Sequence, residues 1–89
     1  MALSTEEKEA LYRGYVEIVT DCRKDNNISQ TALSQKAGCS DKYVTLIESG
    51  RRTPSLEMLI ALMAAAGVRR SAAQELFDNL ADDLEWMEE

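Results

Sequence analysis

The stretch 28–50, ISQTALSQKAGCSDKYVTLIESG, constrains this chain most, because it holds two helices too short to stand in water without neighbours. Ser29 is placed to cap the first, since its hydroxyl can accept from a backbone N–H of the opening turn. Ala32, Leu33 and Ala37 form a narrow apolar face at helical spacing, and Gly38 stands where a helix end needs positive φ. Cys39 is a small apolar plug, and Ser40 is expected to cap a second helix over 41–49. That helix buries Val44 and Ile47 and turns Asp41, Lys42, Thr45 and, at its margin, Leu46 toward another face. Gly50 ends it. A short helix with so little apolar surface, held out by its neighbours, is suited to being read by another molecule.

The flanks supply the support. Ser4 with Glu7 matches a capping box, so a first helix starts at Thr5 and buries Leu11, Tyr15, Ile18, Val19 and Cys22. Gly14 costs that helix about 1 kcal/mol of propensity, so either a neighbour packs close there or the helix is weak. Asp25, Asn26 and Asn27 turn the chain into the motif. Beyond it, Arg51, Arg52 and Thr53 form a basic loop closed by Pro54, and Ser55 caps a helix over 56–66. Its expected core face is Leu56, Leu59, Ile60, Met63 and Ala64. Ser71 with Gln74 reads as a second capping box, opening a final helix to about residue 87. Ala73, Phe77, Leu80, Leu84 and Met87 run along that helix as a two-heptad stripe. No strand pattern or internal repeat interrupts the series, so the expectation is five helices, all α.

Charge narrows the partners. The net charge is −6, which by itself disfavours a polyanion. It is unevenly spread: −2 over residues 1–18, +3 over 19–70 and −7 over 71–89. Phosphate attraction acts over a Debye length of ~8–10 Å, so the basic middle outweighs the total. Eighty-nine residues make one small domain, with no run of ~18 apolar residues to span a membrane. No secretory signal is visible, and Cys22 and Cys39 read as reduced thiols of a cytoplasmic protein rather than a disulfide. Histidine is absent, no phosphate-cradling glycine loop occurs, and two cysteines without His make no zinc site. No catalytic residue, metal or cofactor is therefore expected.

The run S-Q-x-x-L-x-x-x-x-G-x-S-x-x-Y-V-x-x-I-E-S-G-R-R-x-P-S-L-x-x-L, starting at Ser29, resembles the helix-turn-helix of the Cro/repressor type, also called Xre-like. The resemblance covers roughly residues 16–68. It implies an all-α, five-helix lambda-repressor-like DNA-binding domain across residues 1–89, with helix 41–49 in the major groove of double-stranded DNA. By position, Asp41, Lys42, Thr45 and Leu46 resemble the base-contacting residues. Lys42 suits guanine O6/N7 and Asp41 cytosine N4, although Asp41 also simply compensates a helix N-terminus. Thr45 can meet a thymine methyl or a phosphate. Leu46 has three readings: a thymine-methyl contact, a core residue or a partner contact.

Ser29 and Gln30 resemble the family's phosphate clamp, and Ser40, Tyr43, Ser49, Arg51 and Arg52 fall where relatives meet the DNA backbone. Tyr43 can equally be half-buried packing. Arg23 and Glu48 stand where relatives pair an Arg late in the first helix with a Glu late in the recognition helix, which implies a structural ion pair. Related regulators bind as twofold dimers, and Phe77, Leu80, Leu84 and Met87 are the expected dimer contacts, sealed by Trp86. The function implied is transcription regulation on a palindromic operator, as in small phage repressors and restriction–modification controller proteins. The alternative is an antitoxin or another protein-interaction module of the same fold, its acidic final helix holding a protein partner.

Overall fold

Capping decides where each helix starts. The computed structural model describes residues 3–83 and residue 85. Ser4 and Glu7 exchange two hydrogen bonds, Ser4 Oγ accepting from the Glu7 N–H at 3.1 Å and the Ser4 N–H donating to Glu7 Oε1 at 2.9 Å. They open α1 (Thr5–Asp25). Ser29 and Ser55 do the same, through one bond each, for α2 (Gln30–Lys36) and α4 (Leu56–Ala66). Between them lies α3 (Tyr43–Glu48), and α5 (Arg70–Asp83) follows. No strand occurs among the described residues, and no helix there is long and apolar enough to cross a membrane.

α1 packs on α4 and α5, while α2 packs on α3 and α4. Val19, Leu33, Tyr43, Val44, Ile47, Leu62, Ala65 and Ala66 make the shared core, with Val16, Cys22, Ile28 and Met58 packed against it. Gly14 is explained by a close neighbour: a β-carbon there would lie 3.4 Å from Leu76 of α5. Gly67 closes α4 at φ +82, and Asn26 donates to the Ala66 carbonyl beside it at 3.0 Å. A β-carbon on Gly67 would come within 2.9 Å of the Asn26 amide, so glycine is required twice over. Cys22 and Cys39 are both free thiols.

Several boundaries and faces differ from expectation. α3 starts at Tyr43, not Asp41, and Ser40 is not its cap: Ser40 begins a turn in which its carbonyl accepts from the Tyr43 N–H at 3.0 Å. Lys42, at the cap position, already has near-helical backbone and makes no capping bond. α5 starts at Arg70, which makes Ser71 its second residue rather than its cap. The core face of α4 is Leu59, Leu62, Ala65 and Ala66, whereas Leu56 and Ile60 are 65% and 58% exposed and Ala64 is also exposed. The reason is that LEMLIALMAAA is apolar nearly all round, so helical periodicity selects no side. Leu56 and Ile60 instead line an apolar groove with Tyr15 of α1, Phe77 and Leu80 of α5 and Met63, which also packs against the core as expected. Leu84, Trp86 and Met87, expected on the same stripe, lie outside the described residues.

Candidate nucleic-acid interface

Six residues cannot hold a helix by themselves, so the position of α3 is set from outside it. Its first support is Ser34 of α2. This hydroxyl is fully buried, donates to the Gln30 carbonyl at 2.9 Å and accepts the Val44 N–H at 3.1 Å. The N-terminal turn of α3 is thus capped by the preceding helix, across the turn, and not by the residues just before it. Sequence reading missed Ser34, because a serine inside a short polar helix carries no local sign of a partner ten residues on.

The second support holds the other end. Arg23 Nε and Nη2 donate to Glu48 Oε2 and Oε1, each at 2.7 Å, in a two-pronged pair. The remaining Nη1 donates to the Ile28 carbonyl at 3.1 Å, so one guanidinium ties α1, the connection to α2 and the last residue of α3. Both side chains are largely removed from water. Burial pushes the Glu48 carboxyl up, but hydrogen bonds from Arg23 and Gln30 and the charges of Arg23 and Lys24 outweigh it and hold it below the ordinary range. The bond to Glu48 raises Arg23 in turn, against its own burial.

Gln30 joins this pair to the outer surface. Its Nε2 donates to Glu48 Oε1 at 3.0 Å, and its Oε1 accepts from Thr45 Oγ1 at 2.9 Å. Expected as a phosphate contact, Gln30 is half-buried and engaged at both ends of its amide. Ser29, expected in the same role, is exposed and accepts the Ala32 N–H at 3.0 Å.

The outward face carries the rest. Lys42 and Thr45 are exposed, as are Ser40 and Asp41, although Ser40, Asp41 and Lys42 precede α3 rather than belonging to it. Asp41 accepts from Gln35 at 3.3 Å. Leu46 is half-buried, and its carbonyl anchors the following loop by accepting from Ser49 Oγ and from the Arg51 and Arg52 N–H groups. Ser49, Arg51 and Arg52 are exposed beyond it. Of the two readings of Tyr43, packing is the one its burial supports: it is a core side chain, 8% exposed, with the Arg52 guanidinium 5.2 Å from its ring centre. Pro54 is buried and fixes the loop that presents both arginines. No group of three His, Cys, Asp or Glu that could hold a metal occurs among the described residues.

Residues 20–72 match the family model for the helix-turn-helix. Over 50 residues the chain is 40% identical to the immunity repressor protein of Bacillus phage phi105. That stretch is 56% of this chain but only 35% of the phage protein, so the chain covers a minor part of that relative's length. No solved structure gives a significant match.

Proposed function

We propose, from the premise that this chain belongs to the Cro/repressor-type (Xre-like) helix-turn-helix family, that it is a sequence-specific DNA-binding transcription regulator. It works as a homodimer on a palindromic operator, each subunit setting α3 into the major groove, with half-sites ~34 Å apart. The observation that carries this reading is the state of α3: braced at both ends by buried polar contacts, it leaves Lys42 and Thr45 exposed. Lys42 and Thr45, with Asp41 and Leu46, meet base edges, and Ser29, Ser40, Ser49, Arg51 and Arg52 meet phosphates. Tyr43 acts through Arg52, which it carries on its ring.

The dimer forms through α5 together with the exposed part of α4. Leu56, Ile60 and Phe77 leave an apolar surface there that a second copy can cover. Doubling the subunit doubles the phosphate contacts, and linked binding raises affinity well beyond that of one half-site. The test is duplex binding measured against salt. A regulator of this kind loses affinity steeply, log K falling linearly with log salt, and retains a preferred sequence throughout. Binding that is absent at low salt, or that ranks all duplexes equally, removes the proposal.

A further inference from the structure

The hydrogen bonds leading from α1 to the outer face of α3 admit only one polarity. Arg23 has only donors, and the ionised Glu48 it faces has only acceptors. Gln30 therefore meets Glu48 through its nitrogen, as an amide oxygen there would oppose a carboxylate oxygen. With the nitrogen inward, the amide oxygen is what Thr45 meets, and that oxygen accepts only. The single proton of the Thr45 hydroxyl is thus spent inward. What the Thr45 hydroxyl shows to the outside, where the residue is exposed, is lone pairs.

We infer that Thr45 acts in the major groove solely as a hydrogen-bond acceptor, so it selects a base bearing an exocyclic amine, cytosine through N4 or adenine through N6, and rejects guanine and thymine at that point. Guanine offers O6 and N7 and thymine offers O4, all acceptors, and an acceptor facing an acceptor is unpaired. Turning the hydroxyl outward to donate would break its 2.9 Å bond to the Gln30 oxygen. Gln30 and Glu48 are positioning residues here: they fix the direction of one proton. The inference rests on the DNA-binding reading and adds to it the sign of one contact.

The experiment is selection from a randomised duplex library by the full chain, its Thr45→Val, Thr45→Ser and Gln30→Leu variants, each first checked for folding by circular dichroism. The wild type is expected to enrich adenine or cytosine at one position per half-site, where Thr45→Ser keeps the preference and Thr45→Val loses it. Gln30→Leu, which frees the hydroxyl to donate, is expected to admit guanine or thymine at that same position. Binding is then titrated on the enriched duplex with adenine replaced by purine, or cytosine by pyrimidin-2-one, so that only the amine is lost. The wild type should weaken about tenfold, and Thr45→Val should weaken much less from its own lower starting affinity. The inference is overturned by guanine or thymine at the Thr45-dependent position, by no such position at all, or by equal sensitivity to the lost amine in both proteins. It is equally overturned if Gln30→Leu still excludes guanine and thymine. A wild-type protein that enriches no duplex sinks the regulator reading itself, an outcome distinct from enrichment without a Thr45-dependent base.

Discussion

At Ser34 one hydroxyl serves as donor to α2 and acceptor for α3, with no access to water. Ser34→Ala leaves the Val44 N–H buried and unpaired, so the unfolding free energy should fall by about 1–3 kcal/mol, read as a lower urea midpoint at constant slope. Lys42 and Arg52 should separate by the kind of loss. Lys42→Ala relaxes discrimination at one base pair by about 1–3 kcal/mol, whereas Arg52→Ala weakens all sequences alike and lowers the salt slope. Site selection and salt titration on the two variants check this. Glu48 adds a pH dependence. Its carboxyl lies below the ordinary range when folded, so its stabilisation is complete above the unfolded value of about 4.3 and drains away as pH falls through the folded value. Wild-type stability should therefore drop below about pH 5, and Glu48→Gln should flatten part of that drop. Glu7, lowered by hydrogen bonds from the Ser4 backbone and then its side chain, keeps a share of the effect in that variant.

Among the elements, α3 is the one whose existence depends on others, and α4 is the one whose orientation does. Helix α3 is capped at its first turn by α2 and clamped at its last residue by α1, so the same contacts that stabilise it also aim it. Helix α4 is closed by Gly67, where left-handed backbone and the Asn26 amide both exclude a β-carbon. At Gly38 the backbone is also left-handed, yet a β-carbon would meet nothing within 4 Å. Gly67→Ala should accordingly cost more than about 1 kcal/mol and more than Gly38→Ala, the surplus being the disturbed link between α1 and α4. Thermal unfolding of the two variants measures the difference. The caps of α1, α2 and α4 were legible in the sequence because Ser4, Ser29 and Ser55 act within their own first turn. The cap of α3 was not, because Ser34 is remote from it along the chain.

For the whole molecule, the basic side chains of the motif and the acidic ones of the last helix sit on different elements. Arg51, Arg52 and Lys42 are exposed beside α3, whereas α5, with Glu75, Asp78 and Asp82, packs on α1. The exposed apolar part of α4 lies beside α5, which is why that pair of helices is the proposed dimer surface. Ile60 is more than half exposed, so Ile60→Glu should leave the monomer folded while shifting the protein from dimer to monomer in sedimentation equilibrium. Affinity for a two-half-site operator should fall by at least tenfold, with little change on a single half-site. A variant that remains dimeric would move the interface elsewhere.

Residue order determined the number of helices among the described residues, three of their caps and the glycine that ends α4, whereas the pairing of Arg23 with Glu48 was implied by a family resemblance. These are legible because capping boxes, serine caps and helical spacing act within one or two turns of chain. Only the tertiary structure decided which side of α4 is core, that Tyr43 is buried, and that Gln30 faces inward to Glu48 and Thr45. Each of those depends on what another helix brings to the same place. Burial and hydrogen-bond direction are properties of the assembled contact, and no single segment contains them.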